Sequence, residues 1–214
     1  MKKYSAVLFD LDGTLVSLNS VVEALEKTSK HFGLKPLSKE KIYREIVGHR
    51  LGEKIKEVYP LTEEQAKAFH DYYKKAYEKT KVIFLPHAKE VVEKLKKAGI
   101  KIGIVTTKSK KTSMKVIKEL GITPDVIITQ EEVKEVKPSP EPILKACEIL
   151  KVKPRKTIMV GDHVFDIQAA KKAGCIAVAI PTGARTKEEL INEKPHYLIN
   201  DLEELLKIVG IESE

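Results

Sequence analysis

Two acids one residue apart stand where an apolar run stops: Ala6-Val7-Leu8-Phe9 is followed by Asp10, and Asp12 comes just ahead of Gly13-Thr14. The pattern reads as a buried strand that delivers two carboxylates to its C-terminal end. Burying an uncompensated charge costs several kcal/mol, roughly, so a cation or a proton must accompany such a pair. Mg2+ is a natural partner, because hard cations take oxygen ligands. Asp-Gly between apolar segments is also a type I′ hairpin signal. Here, however, Thr14-Leu15-Val16-Ser17-Leu18-Asn19 leads into helical periodicity with no returning strand, which favours a chemical site over a hairpin.

Carboxylates held this way need a rigid frame. Between 17 and 81 no strand pattern is evident. Asn19 or Ser20 is placed to cap a helix with Val21, Val22, Leu25, His31 and Phe32 at helical spacing, stopped by Gly33. Ser38-Lys39-Glu40-Lys41 opens a second helix over 42–47, and Thr62-Glu63-Glu64-Gln65 has the capping-box pattern ahead of a long helix through Tyr77. Pro86 then begins a helix through Lys97. Strand patterns over 101–105, 125–128, 157–160, 176–180 and 197–199 alternate with helical patterns over 109–120, 140–150, 164–173, 187–191 and 202–209. Such alternation predicts a mostly parallel sheet covered by helices on both faces. The expected fold is α/β: a Rossmann-like parallel-sheet core, residues 1–16 and 84–214, interrupted by a small all-helical cap domain, residues 17–83.

Ligands of parallel sheets bind at the carboxyl ends of the strands. The polar residues expected there are Asp10 and Asp12 after the first strand, Thr106 and Thr107 after the second, and Asp162 with Asp166 after the strand over 157–160. Lys137 joins them from the loop Glu135-Val136-Lys137-Pro138, where the proline holds the preceding residue extended. Taken singly, Asp162 and Thr106 also suit helix N-caps and Lys137 a solvated surface position.

With these segments in order, the chain resembles the haloacid dehalogenase (HAD) superfamily of aspartate-nucleophile phosphohydrolases. The matching motifs are Asp10-Leu11-Asp12-Gly13-Thr14, the strand ending at Thr106, Lys137-Pro138, and Gly161-Asp162-His163-Val164-Phe165-Asp166. The helical insert resembles the C1 cap of the phosphoglycolate phosphatase-like group. The resemblance implies that Asp10 attacks phosphorus to form an aspartyl-phosphate, and that Asp12 protonates the leaving oxygen and later activates water. It further implies Thr106 and Lys137 as stabilisers of the transferred phosphoryl group, Thr107 as a substrate contact, and Asp10, Asp12, Asp162 and Asp166 around Mg2+. The implied activity is a Mg2+-dependent phosphatase acting on a small phosphorylated metabolite, phosphoglycolate first. A phosphosugar mutase of the β-phosphoglucomutase type is the alternative, although such mutases commonly have Val or Ile where this chain has Thr14. A non-catalytic binding protein on the same fold is disfavoured because no motif residue is missing. The dehalogenase and phosphonate hydrolase activities of the superfamily fit poorly, since Asp12 supplies an acid that those enzymes lack.

Specificity is expected from the insert. Gly48-His49-Arg50-Leu51-Gly52 is a glycine-flanked turn with two potential cations, and Arg50, with His49, is placed to meet the far end of the substrate or to form an ordinary interhelical turn. His163 departs from the small hydroxyl residue or Asn usual at its position; a partly exposed helix-start residue is expected there, ahead of a role in the pocket.

The composition, 42% hydrophobic and 33% charged over 214 residues, is that of a globular chain with a substantial core. A net charge of +8 suits anionic partners, but Lys and Glu interspersed on helical faces, as in Glu93-Lys94-Leu95-Lys96-Lys97, account for it as solvated surface. No nucleic-acid partner is expected, and no apolar stretch is long enough to span a bilayer. Met1-Lys2-Lys3 begins like a leader, but the apolar run that follows breaks at Asp10. Cys147 and Cys175 lack metal-ligand spacing and read as buried small hydrophobes. A cytoplasmic monomer or homodimer is the expectation.

Overall fold

Strand β1 (Ala6–Phe9) is apolar at every position because both of its faces are covered, and the computed structural model, which describes residues 3–211, puts it inside a six-stranded sheet. The other strands are β2 (Lys101–Val105), β3 (Val126–Ile128), β4 (Thr157–Gly161), β5 (Ile176–Ala179) and β6 (Tyr197–Leu198). Their order is β3-β2-β1-β4-β5-β6 and every pairing is parallel, so the predicted Rossmann-like architecture is the observed one. β1 runs between β2 and β4, with Phe9 in register with Ile104 and Val160.

The two faces of β1 separate by strict alternation. Val7 and Phe9 join one apolar cluster, Ala6 and Leu8 the other. Helices α5 (Ala88–Lys97), α6 (Lys110–Leu120) and α10 (Glu204–Val209) close the first face; α7 (Glu141–Leu150), α8 (Val164–Ala173) and α9 (Lys187–Asn192) close the second.

The segment behind β1 is helical, as predicted: α1 (Asn19–His31), a short α2 (Lys39–Lys41), α3 (Leu51–Val58) and α4 (Glu63–Glu78). It leaves and rejoins the core through paired backbone, Ser17 N–H to the Ile83 carbonyl at 2.8 Å and Leu85 N–H to the Leu15 carbonyl at 3.0 Å. Its apolar side, including Leu25, Ile55, Phe69 and Tyr77, is continuous with the first face of the sheet. Thr62 and Gln65 form the predicted capping box of α4. Two local expectations differ. The 42–47 helix is a π-turn, Ile42–Ile46, closed by Val47 N–H on the Ile42 carbonyl at 3.0 Å. Neither Asn19 nor Ser20 caps α1, because the Ser20 hydroxyl is drawn away to the Lys81 carbonyl at 2.9 Å. Among the described residues no helix is long and apolar enough to cross a membrane.

Candidate active site

β1 ends at Phe9, and the next residue, Asp10, stands at the C-terminal edge where the strand order turns about β1. Its amide donates to the Val160 carbonyl at 3.0 Å, which ties it to β4. Asp162 follows β4, Thr106 follows β2, and Lys137 comes from the loop between β3 and α7 with a cis bond to Pro138. Four segments thus converge on one cleft.

Lys137 organises the centre. Its ammonium donates to Asp10 Oδ1 at 2.9 Å, to Asp166 Oδ1 at 2.6 Å and to the Val105 carbonyl at 2.9 Å. Burial alone would lower its pKa, but the carboxylates of Asp10 and Asp166 outweigh that and hold it charged. Asp162 is fully buried; Oδ1 accepts from the Thr14 hydroxyl at 3.2 Å and Oδ2 from the Ala184 amide at 3.0 Å. Glycine is required around these acids. A Cβ at Gly183 would lie 1.8 Å from Asp162 Oδ2, and one at Gly161 would lie 2.2 Å from Asp166 Cγ.

Oxygen atoms of Asp10, Asp162 and Asp166 all lie within 4.8 Å of one another. Burial pushes the pKa of Asp10 up, and burial together with the neighbouring charges of Asp10 and Asp166 pushes that of Asp162 well up. Three carboxylates against one ammonium leave excess negative charge in a dry site, and an all-oxygen donor set suits a hard divalent cation such as Mg2+. Adding Mg2+ to metal-free protein at about a hundredfold excess over Kd should therefore raise Tm by roughly 5–10 °C, reversibly with a chelator. A Tm indifferent to Mg2+ would remove the metal from the account.

Asp12, also in the predicted metal set, stands differently. Its carboxylate lies outside the three-acid cluster and is held by Lys108, Nζ to Oδ2 at 2.8 Å. Oδ1 is buried and has no hydrogen-bond partner. Burial raises the Asp12 pKa against the opposing charge of Lys108. Lys108 was absent from the predicted site. It is itself buried, and its ammonium also sits 3.8 Å above the Tyr77 ring. The signal that selected Thr106 and Thr107, polar residues at a strand end, extends one residue further to include it. Thr106 is buried, its Oγ1 accepting from the Lys108 amide at 3.2 Å, and Thr107 lines the cleft.

From the insert, His49 and the unpredicted His70 line the cleft; burial lowers both pKa values, aided by Lys54 and Lys74 respectively, so both rings are neutral at pH 7. Arg50 stands apart from the cleft. Its Nη2 donates to the carbonyls of Gln130, Val133 and Lys134 at 3.3, 3.0 and 2.8 Å, and the residue is not part of the cleft lining. His163 is a correction: rather than a partly exposed helix start, it is 3% exposed and lines the cleft. Burial, with the charges of Arg185 and Lys137, pushes its pKa down to about 3.

This sheet and cleft are those of a hydrolase family. The chain belongs to the haloacid dehalogenase-like hydrolases, whose family model matches residues 7–180, a span that holds Asp10, Asp12, Thr106, Lys108, Lys137, Asp162 and Asp166. It is a HAD-type phosphatase. The chain is 36% identical over 221 residues to the provisionally named pyrophosphatase PpaX of Caldanaerobacter subterraneus subsp. tengcongensis, covering 97% of this chain and 95% of that one. It is 33% identical over 216 residues to pyrophosphatase PpaX of Bacillus mycoides, covering 97% and 98%. A crystal structure described as a predicted phosphoglycolate phosphatase from Haemophilus somnus superposes with a TM-score of 0.85 at 26% identity, covering 97% of this chain and 99% of that one.

Proposed function

We propose that this chain is a Mg2+-dependent phosphatase for small phosphorylated compounds whose leaving group carries negative charge of its own, working through an aspartyl-phosphate on Asp10 beneath a helical cap, residues 17–83. The observation that carries this reading is the Asp12–Lys108 pair: an acid with one oxygen fixed at 2.8 Å by a buried ammonium and the other oxygen unpartnered in the cleft.

In the first step Asp10 attacks phosphorus, the bond from phosphorus to the leaving oxygen breaks, and that oxygen takes the proton from Asp12 Oδ1. In the second step Asp12 takes a proton from water, the water oxygen attacks phosphorus, and inorganic phosphate leaves Asp10 as a free carboxylate. Lys137 fixes Asp10 Oδ1 for attack by Oδ2 and places a positive charge beside the phosphoryl oxygens. Asp10, Asp162 and Asp166 would hold Mg2+, which supplies charge neutralisation at the phosphoryl group. Apolar side chains of the insert, among them Leu18, Val21, Leu25 and Ile46, form the opposite wall and exclude water.

Among the described residues, two lysines line the cleft: the Lys137 ammonium already has three acceptors, Asp10, Asp166 and the Val105 carbonyl, whereas that of Lys108 has Asp12 alone. Lys108 is therefore the group that meets an anionic leaving group. Pyrophosphate, whose leaving group is phosphate, satisfies this and is the substrate in the names of the full-length relatives; it is placed first. Phosphoglycolate, with its carboxylate, comes second. Lys108→Met should raise KM for either compound about 10- to 100-fold while changing KM for p-nitrophenyl phosphate by less than about threefold. Equal losses on all substrates would show that Lys108 does not read the leaving group.

A further inference from the structure

Among the contacts that pin the insert to the core, two are made by arginines. On one side Arg50 holds the carbonyls after β3. On the other, Arg185, in the loop after β5, donates from Nη2 to the Arg44 carbonyl at 3.2 Å and from Nε to His163 Nε2 at 2.9 Å, while the Arg44 guanidinium pairs with Glu189. His163 is where the insert, the Arg185 loop and the start of α8 meet. The insert turn rests on its ring: a Cβ on Gly48, whose φ is +89°, would lie 3.1 Å from Cε1 and 3.2 Å from Nε2. Only glycine gives this approach without strain.

Both ring nitrogens face donors. Nδ1 receives the Phe165 amide at 3.2 Å, capping α8, and Nε2 receives Arg185 at 2.9 Å. A neutral imidazole has one lone pair and one N–H, and an imidazolium has no lone pair. Only one of the two donors is therefore satisfied at a time. With the proton on Nδ1, Nε2 accepts the guanidinium, the shorter and charge-assisted bond, and the Phe165 amide loses its side-chain cap. With the proton on Nε2, Nδ1 caps α8 and Arg185 is turned away from the ring.

We propose that His163 is a positioning residue that exchanges the α8 cap for the Arg185 clasp, so that its tautomer couples the seating of the helical insert to the segment carrying Asp162 and Asp166. With the insert seated, the lone pair is on Nε2. When the insert lifts, the Arg44 carbonyl leaves with it, Arg185 loses an anchor, and the proton moves to Nε2 as Nδ1 takes the Phe165 amide. The consequence for turnover rests on the phosphatase reading; the clasp itself does not.

The test uses the full chain labelled with 15N-histidine, without substrate or metal. Two-bond 1H–15N spectra report the His163 tautomer, and amide exchange over 42–49 reports the seating of the insert. Wild type should hold the lone pair on Nε2. Arg185→Ala should move it to Nδ1 and speed exchange over 42–49 at least about tenfold relative to the sheet. His163→Asn, whose side-chain oxygen can still cap α8, should speed the same amides while leaving the sheet protected. A lone pair that stays on Nε2 in Arg185→Ala, or wild-type exchange over 42–49 in either variant, overturns the proposal. Neither readout depends on phosphoryl transfer, so a failed phosphatase assay with intact coupling points to the functional reading instead.

Discussion

Asp10→Asn should lower kcat for every phosphorylated substrate by at least about ten-thousand-fold while leaving the protein folded. The carboxamide keeps the volume of the side chain but cannot form an acyl-phosphate. Lys137 retains Asp166 and the Val105 carbonyl as partners, so the cleft keeps its cation in place. Burial already disfavours a charge at Asp10, so metal-free Asp10→Asn should melt no lower than wild type. Loss of activity with retained Tm separates a nucleophile from a packing residue. Activity within tenfold of wild type would contradict the assignment.

Asp12→Asn has the second-largest expected effect, and its size should depend on the substrate. For phosphoglycolate, whose alkoxide leaving group needs a proton, kcat should fall about 100- to 10,000-fold; for p-nitrophenyl phosphate, whose leaving group departs without one, the fall should be at least about tenfold smaller. The pH profile provides an independent check. The Asp12 pKa is raised, so the protonated acid persists above the ordinary carboxylate range and is lost as pH rises through the raised value. Wild-type kcat for phosphoglycolate should fall with that loss of the proton, and Asp12→Asn should flatten this limb. Equal losses on both substrates would assign Asp12 to binding rather than to proton transfer.

The residues legible in the sequence were those announced by their own neighbours. An apolar run that stops at Asp10, or at Thr106 or Asp162, marks a strand end from within a few residues, and the parallel sheet then brings these ends together. Side-chain direction was not legible, because partners distant in the chain decide it. Asp12 turns from the acidic cluster toward Lys108, 96 residues away, and Arg50 is captured by carbonyls 80 to 84 residues away. His163 follows the same logic: nothing beside it in sequence foretells burial by Arg185 and by the turn at Gly48. The π-turn at Ile42–Ile46 carries apolar residues at spacings that suit an α-helix equally well.

The central claim is a covalent phosphoryl group on Asp10, and acid-quenched turnover followed by peptide mass spectrometry tests it most directly. With Mg2+ and pyrophosphate, the peptide containing Asp10 should gain one phosphoryl group, and borohydride reduction of the quenched enzyme should convert residue 10 to homoserine. Both signals should vanish in Asp10→Asn and after chelation. A phosphoryl group on any other residue, or steady turnover in which no phosphoenzyme is trapped even with the fastest quench, would contradict the account.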